Sequence, residues 1–264
     1  MAHSLNTRAY LQRIGLAGAA PVDSRTLKRL QRQHLFTVPF ESLSIHLGEP
    51  VDLCEAALYD KIVRRRRGGF CYELNGLFAA LLRRLGYPVT LLSAGVARAA
   101  GGFGPEFDHL LLLVELDRRW LVDVGFGENF RTPLDLDADG PQVQGSRAYR
   151  ILRKGRYHLL QERDAADRWN DAYRFTLAPR SLGEFVEMCC YHQTSRDSNF
   201  TRNRVCSLAT ASGRKTLSGM RLIETGRNGA RRERAVADEK EYRQHLQERF
   251  GVRLARSAAF RPAP

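Results

Sequence analysis

No CxxC pair occurs in the chain, and its five cysteines, Cys54, Cys71, Cys189, Cys190 and Cys206, are odd in number. Both facts argue against a disulfide framework and a structural zinc site, so reduced thiols, a cytosolic protein and no metal are expected. Also missing is any run of about 18 apolar residues, the length a spanning helix needs. The opening MAHSLNTRAYLQRIGLAG lacks the apolar core of a signal peptide, so no membrane partner is expected. Internal repeats and low-complexity tracts are absent too, which removes solenoids and disordered arrays from consideration.

Acidic residues are outnumbered: 29 Asp and Glu face 42 Lys and Arg, a net charge of +13. Such a surplus admits nucleic acid, a membrane surface or a polyanionic small ligand. The charge is spread along the chain, however, and is dense only at residues 64–67 and 231–234. No helix-turn-helix or zinc-finger spacing accompanies it, and specific nucleic-acid binding is not expected.

What is present reads as globular: 264 residues, 43% hydrophobic and 27% charged, enough for one large domain or two to three small ones. The first third is helical in pattern, with Asn6 and Ser24 as N-caps and Leu27, Leu30 and His34 at i, i+3 and i+7 before Val38-Pro39. A further helix fits residues 53–62. The most regular stripe follows, where Leu74, Leu77, Phe78, Leu81, Leu82 and Leu85 share one face until Gly86 and Pro88 end it. His34 on such an apolar side reads as a structural histidine.

Beyond Pro88 the period changes to that of strands, at 89–96, 109–116 and 120–124, the last two joined as a hairpin around Asp117-Arg118. Shorter strands fit 148–152, 157–160 and 173–177, a helix 182–191, strands 205–208 and 216–224, and a closing helix carries Tyr242, Leu246 and Phe250. Helices first, strands next and a mixed end predict an α+β protein. Soft boundaries fall at Gly86 and at Ala178-Pro179, giving parts 1–86, 87–178 and 179–264.

The stretch RGGFCYELN, residues 67–75, places Cys71 directly ahead of the apolar stripe, at or within the first turn of its helix. Unpaired N–H groups and the positive end of the helix dipole favour a thiolate there. Gly68 and Gly69 let the backbone approach a ligand closely. A small buried hydrophobe would occupy the same position equally well.

A cysteine nucleophile needs a base, and the base needs an orienting acceptor. His109 opens HLLLLVEL and Asp123 lies in RWLVDVGFG. Register decides whether they meet. With the hairpin centred between Asp117 and Arg118 the two side chains lie on opposite faces; centred on Asp117, Asp123 faces Leu111 and His109 is its diagonal neighbour on the same face. A triad therefore requires an odd-length loop, such as Leu116-Asp117-Arg118. The alternative is a strand-capping His109 and an Asp123 that bonds the backbone of the Val124-Gly125-Phe126-Gly127 turn.

Taken together, HLFTVPFESL (34–43), RGGFCYELN, DHLLLLVEL (108–116) and WLVDVGFGE (120–128) resemble, in order, the motifs of the arylamine N-acetyltransferase family, and weaker similarity continues through 191–195 and 198–202. The resemblance implies a helical bundle bearing Cys71, an antiparallel β-barrel bearing His109 and Asp123, and a C-terminal α/β lid. It implies that these three residues form a catalytic triad, that Cys71 is held as a thiolate beside an imidazolium, and that acetyl passes from acetyl-CoA to sulfur and then to an arylamine, hydrazine or N-hydroxyarylamine.

Tyr191, Asn199 and Phe200 match the coenzyme A region, with Arg196 and Arg202 near its phosphates. Phe126, Phe70 and Phe107 match the acceptor side, and Arg67, Glu73 and Asn75 match supports of the motif. Partners implied are coenzyme A and a small amine, with a homo-oligomer allowed. Two departures stand out: the His109 to Asp123 spacing is one residue shorter than the family's usual, and Ser42 replaces its usual Asn. Cys189, Cys190 and Cys206 read as packing. Rival readings are an amide synthase of the same fold that releases a polyketide chain onto an aromatic amine, a papain-like or transglutaminase-like hydrolase, and a basic binding module.

Overall fold

The computed structural model describes residues 5–18, 21–164, 166–226, 229–255 and 258–260. Helices α1 (Thr7–Arg13) and α2 (Ser24–Thr37) open the chain, followed by a two-residue strand β1 (Phe40–Glu41) and short helices α3 (Leu43–Leu47) and α4 (Glu55–Tyr59). Asn6 caps α1 as expected, accepting from the Ala9 amide at 2.9 Å. The cap of α2 is Asp23 rather than Ser24, because Asp23 holds the Thr26 amide at 2.7 Å and Ser24 is already the first helical residue. The stretch after α4 continues as a π-helical turn, Asp60–Arg64, so that helix runs past its anticipated end at residue 62.

Helix α5 (Cys71–Arg84) is the hub of this part. Its side chains Leu74, Leu77, Phe78, Leu81 and Leu82 are all fully buried, in one core with α1, α2 and α4. Helix α5 and strand β3 (His109–Glu115) pack directly on each other.

Strand alternation explains the HLLLLV run. Leu110, Leu112 and Val114 join the helical core, whereas Leu111 and Leu113 point the other way into a second core, so β3 is apolar on both faces. That second core fills an eight-stranded antiparallel sheet formed by β2 (Val89–Val96), β3, β4 (Arg119–Val122), β5 (Leu134–Asp135), β6 (Gln142–Gln144), β7 (Arg147–Lys154), β8 (Tyr157–Arg163) and β9 (Trp169–Phe175), in the order β5-β4-β3-β2-β9-β8-β7-β6. The terminal strands β5 and β6 share no backbone ladder. Side chains bridge them instead: Gln142 exchanges bonds of 2.7 and 2.8 Å with Asp135, and Gln144 does the same for Arg131 and Thr132, so the sheet is a nearly closed barrel.

A 3-10 turn (Leu182–Phe185), α6 (Val186–Thr194) and α7 (Asn199–Arg202) lead to a second sheet of β10 (Val205–Thr210), β11 (Gly213–Ser218), β12 (Arg221–Gly226) and β13 (Arg231–Ala235), backed by α8 (Glu239–Phe250). The anticipated strand 216–224 is in fact two strands folded at Gly219-Met220, where Gly219 takes a positive φ of 53°. Strand β13 has no amphipathic signal because all five of its residues are exposed, four of them charged.

Strand β1 pairs with β10 (Phe40 opposite Ser207, Glu41 opposite Cys206) and bridges Gly69, so the PFE segment ties the C-terminal sheet to the loop before Cys71. The mixed α+β architecture is the one anticipated. Among the described residues, no helix is long and apolar enough to cross a membrane.

Candidate active site

The loop before α5 is held from below. Arg67 is buried with its guanidinium on Glu41 at 2.9 and 3.2 Å and on Ser44 at 3.3 Å. A side chain on Gly68 would meet the Pro39 carbonyl oxygen at 1.9 Å, so only glycine lets the loop pass over the PFE strand. Burial alone would raise the Glu41 carboxyl, but the Arg67 and Lys61 cations and the bonds from Arg67 and Leu43 hold it down to about 2.

Two expectations follow from this pair. Replacing Arg67 with Leu leaves a buried carboxylate unmatched and should cost about 3–5 kcal/mol, read as a lowered urea midpoint. Because the folded-state value of Glu41 lies below its ordinary 4.5, its stabilising contribution is complete above that value and is lost as pH falls toward about 2. Acid titration of the wild type, compared with Glu41→Gln, should show this loss only in the wild type.

Cys71 is the first residue of α5, with Phe70 at the N-cap, where the Glu73 carboxylate accepts from the Phe70 amide at 3.2 Å and pairs with Lys61 at 2.7 Å. Asn75 lies one turn on, on the same face as Cys71. Its amide nitrogen donates to the Leu110 carbonyl at 2.6 Å and to Asp123 Oδ1 at 2.9 Å, and its oxygen accepts from the Val124 amide at 2.9 Å. This one side chain bolts the cysteine face of α5 to both strands of the hairpin. Asn75 and Glu73 thus support the site as expected.

The hairpin has the odd register. Leu112 faces Val122 and Glu115 faces Arg119, leaving Leu116-Asp117-Arg118 as a three-residue loop. The same register carried on sets Asp123 opposite Leu111, and His109 Nε2 lies 2.8 Å from Asp123 Oδ2. The 14-residue step from His109 to Asp123 is therefore accommodated by a three-residue loop.

Asp123 is saturated with donors. Besides His109 and Asn75 it accepts from the Gly125 amide at 2.8 Å, the Tyr173 hydroxyl at 3.2 Å and Asn129 at 3.5 Å. Burial would raise this carboxyl, but His109 and the bonds from His109, Asn75 and Gly125 keep it below the usual carboxylate range. Tyr173, whose hydroxyl burial holds firmly protonated, also packs against the His109 ring, as does Phe126.

Cys71 and His109 line one cavity of about 760 Å³, together with Gly125, Phe126, Asp108, His192 and Phe40. Tyr191, Asn199 and Phe200 lie on its wall as well. Phe70 and Phe107 do not line it: Phe70 packs on Tyr72 and Phe200, and Phe107 on Phe185, so both rings serve the core. Gly125 lies against the Cys71 backbone, since a Cβ there would lie 2.7 Å from Cys71 Cα. Burial pushes the Cys71 thiol well up, an effect that the Leu110 amide opposes and that Cys189, Asp123 and Asp108 reinforce. A lone thiolate is therefore disfavoured here.

Residues 23–259 match the protein-family model described as N-acetyltransferase. The chain belongs to the arylamine N-acetyltransferase family. Among relatives, it is 35% identical to the arylamine N-acetyltransferase of Mycolicibacterium smegmatis over 95% of this chain and 93% of that one. It is also 35% identical to the proansamycin X synthase of Amycolatopsis mediterranei, over 90% and 94%. The structure of the Mycobacterium marinum arylamine N-acetyltransferase in complex with CoA superposes with a TM-score of 0.86 at 31% identity, covering 94% of this chain and 93% of that one.

Within this family frame, sequence reading missed Tyr173, Asn129 and Gln31, whose side-chain oxygen meets the Asp123 amide at 3.4 Å. Nothing marks them, because they sit in ordinary strand, loop and helix patterns. His34 is buried and bonded to Tyr10 at 3.0 Å through Nε2, a structural histidine as expected, although its Nδ1 has no partner. Cys189 and Cys206 are buried, but Cys190 is exposed on α6 and does not pack.

Proposed function

We propose that the chain is an acetyl-CoA-dependent N-acetyltransferase for arylamines and hydrazines, with Cys71 as acyl carrier, His109 as base and Asp123 as its orienter. The observation that carries this is the buried His109–Asp123 pair opening onto the same cavity as Cys71. Asp123 takes His109 Nε2, which leaves Nδ1 for proton exchange. As the Cys71 sulfur attacks the thioester carbonyl, its proton passes to Nδ1, and the imidazolium that forms is held by Asp123. The same proton then leaves on the coenzyme A thiol, and acetyl-Cys71 remains.

In the second half the amine attacks that thioester, His109 accepts the amine's proton, and the thiol is restored. Tyr191, Asn199 and Phe200 on the cavity wall are assigned to the acyl donor and Phe126 to the acceptor; the CoA complex of the M. marinum relative supports a donor site in this fold. A cytosolic location belongs to the same proposal.

The similarity to a proansamycin X synthase favours a second reading, an amide synthase that takes its acyl chain from a carrier. Release of free coenzyme A thiol from acetyl-CoA, measured with and without an arylamine, separates the two. Release that depends on the arylamine supports the transferase; none with any arylamine tested overturns it.

A further inference from the structure

The same cavity carries a second imidazole and carboxylate that the reaction above does not use. His192 on α6 and Asp108, just before β3, both line it and lie beside each other. His192 is buried, 8% exposed, between Tyr72, Tyr191 and Phe200. Its Nδ1 lies 3.1 Å from Ser198 Oγ. Ser198 has one hydroxyl proton, which goes to the His192 carbonyl at 3.3 Å, while its oxygen already accepts from the Phe200 amide at 3.2 Å. With the hydroxyl proton so placed, Nδ1 is the donor to Ser198, and in that neutral tautomer Nε2 is a bare acceptor.

That Nε2 is buried without a hydrogen-bond partner. Asp108 Oδ1 is 3.2 Å away, and Oδ2 is engaged by the Val96 amide at 3.2 Å. The peptide that carries Asp108 is fixed as well. Phe107 adopts a positive φ of 66°, held by the Tyr72 hydroxyl on its carbonyl at 2.7 Å and by Ser93 on its amide at 2.6 Å. In that tautomer two acceptors converge on one point in a reactant cavity, and a buried acceptor without a donor costs free energy that a ligand can recover.

We infer that the Asp108–His192 pair is an acceptor-selecting site, which favours amines carrying a second N–H or O–H donor beside the reacting nitrogen. This rests on the transferase reading and names its substrate class more closely. The other ionisable groups on the walls around the pair are Tyr72, Tyr191, Cys71, His109, Asp197 and Arg98. The donor could also come from the amide N–H groups of the acyl donor's pantetheine arm, so the test separates the two half-reactions.

Compare kcat/KM for 3-aminophenol and for 3-toluidine, which differ by a hydroxyl against a methyl of similar size. Wild type should prefer the aminophenol by about ten-fold, the scale of one hydrogen bond to a buried acceptor. In His192→Phe and in Asp108→Asn the preference should collapse toward unity, with the loss falling on the aminophenol. Equal use of the two amines by wild type, or a preference that survives both variants, overturns the inference. So does a loss that appears instead in the rate at which acetyl-CoA labels Cys71, which would assign the pair to the acyl donor. Failure of Cys71 to label in wild type would fault the transferase reading itself, a separate result.

Discussion

Asp123→Asn should lower kcat/KM by roughly three to four orders of magnitude, the scale on which losing the orienting carboxylate acts in such triads. Its two oxygens receive only donors: Asn75 and the Gly125 amide on Oδ1, and His109, Tyr173 and Asn129 on Oδ2. An amide must turn its NH₂ toward one of these sets. Turned toward His109, it forces the ring to protonate Nδ1 and accept through Nε2, which leaves no lone pair for the Cys71 proton. Turned toward Gly125 and Asn75, it sets donors against each other in the hinge between α5 and the hairpin. The checkable signature is in the thiol. At acid pH wild-type Cys71 should be alkylated by iodoacetamide faster than in Asp123→Asn, because only the wild-type ring keeps a lone pair on Nδ1 to take the thiol proton. Unchanged acid reactivity would place the base elsewhere.

Gly125→Ala should cost about a hundred-fold or more in kcat, with little change in how the chain folds overall. The added methyl would lie 2.7 Å from Cys71 Cα, 2.7 Å from Asn75 Nδ2 and 3.0 Å from the Cys71 carbonyl oxygen. Two of these neighbours are backbone at the start of a buried helix and cannot swing aside, so the loop or the nucleophile must move. Displacement on the order of 1 Å in a reacting group costs about two orders of magnitude. Rates of Cys71 acetylation, compared by rapid-quench mass measurement, would register the change. Retained wild-type rates would mean that the loop yields without disturbing the sulfur.

Much of this site was legible in residue order because each piece has a local signature. Glycines before an apolar stripe fix a helix start, and the length of a hairpin loop fixes which side chains share a face, so the odd loop followed from requiring His109 to meet Asp123. The supports were less legible. Asn75 and Arg67 stood out only as parts of a known motif, while Tyr173 and Asn129 reach Asp123 from positions 50 and 6 residues away that carry no signal of their own. The same holds for the fold. Amphipathic elements were readable by period, but β13, exposed along its whole length, and the turn at Gly219-Met220 within one apolar-polar stretch were not. The packing of Phe70 and Phe107 against the core was likewise invisible, since an aromatic beside a nucleophile looks the same in sequence whether it faces ligand or core.

The most direct measurement is the intact mass of the protein after mixing with acetyl-CoA alone, followed by peptide mapping and then by addition of an arylamine. One acetyl group should appear, map to Cys71 and disappear when the amine is added, with the acetylated amine as product. A mass unchanged by acetyl-CoA, or a label on exposed Cys54 or Cys190 that the amine does not remove, would contradict transfer through Cys71.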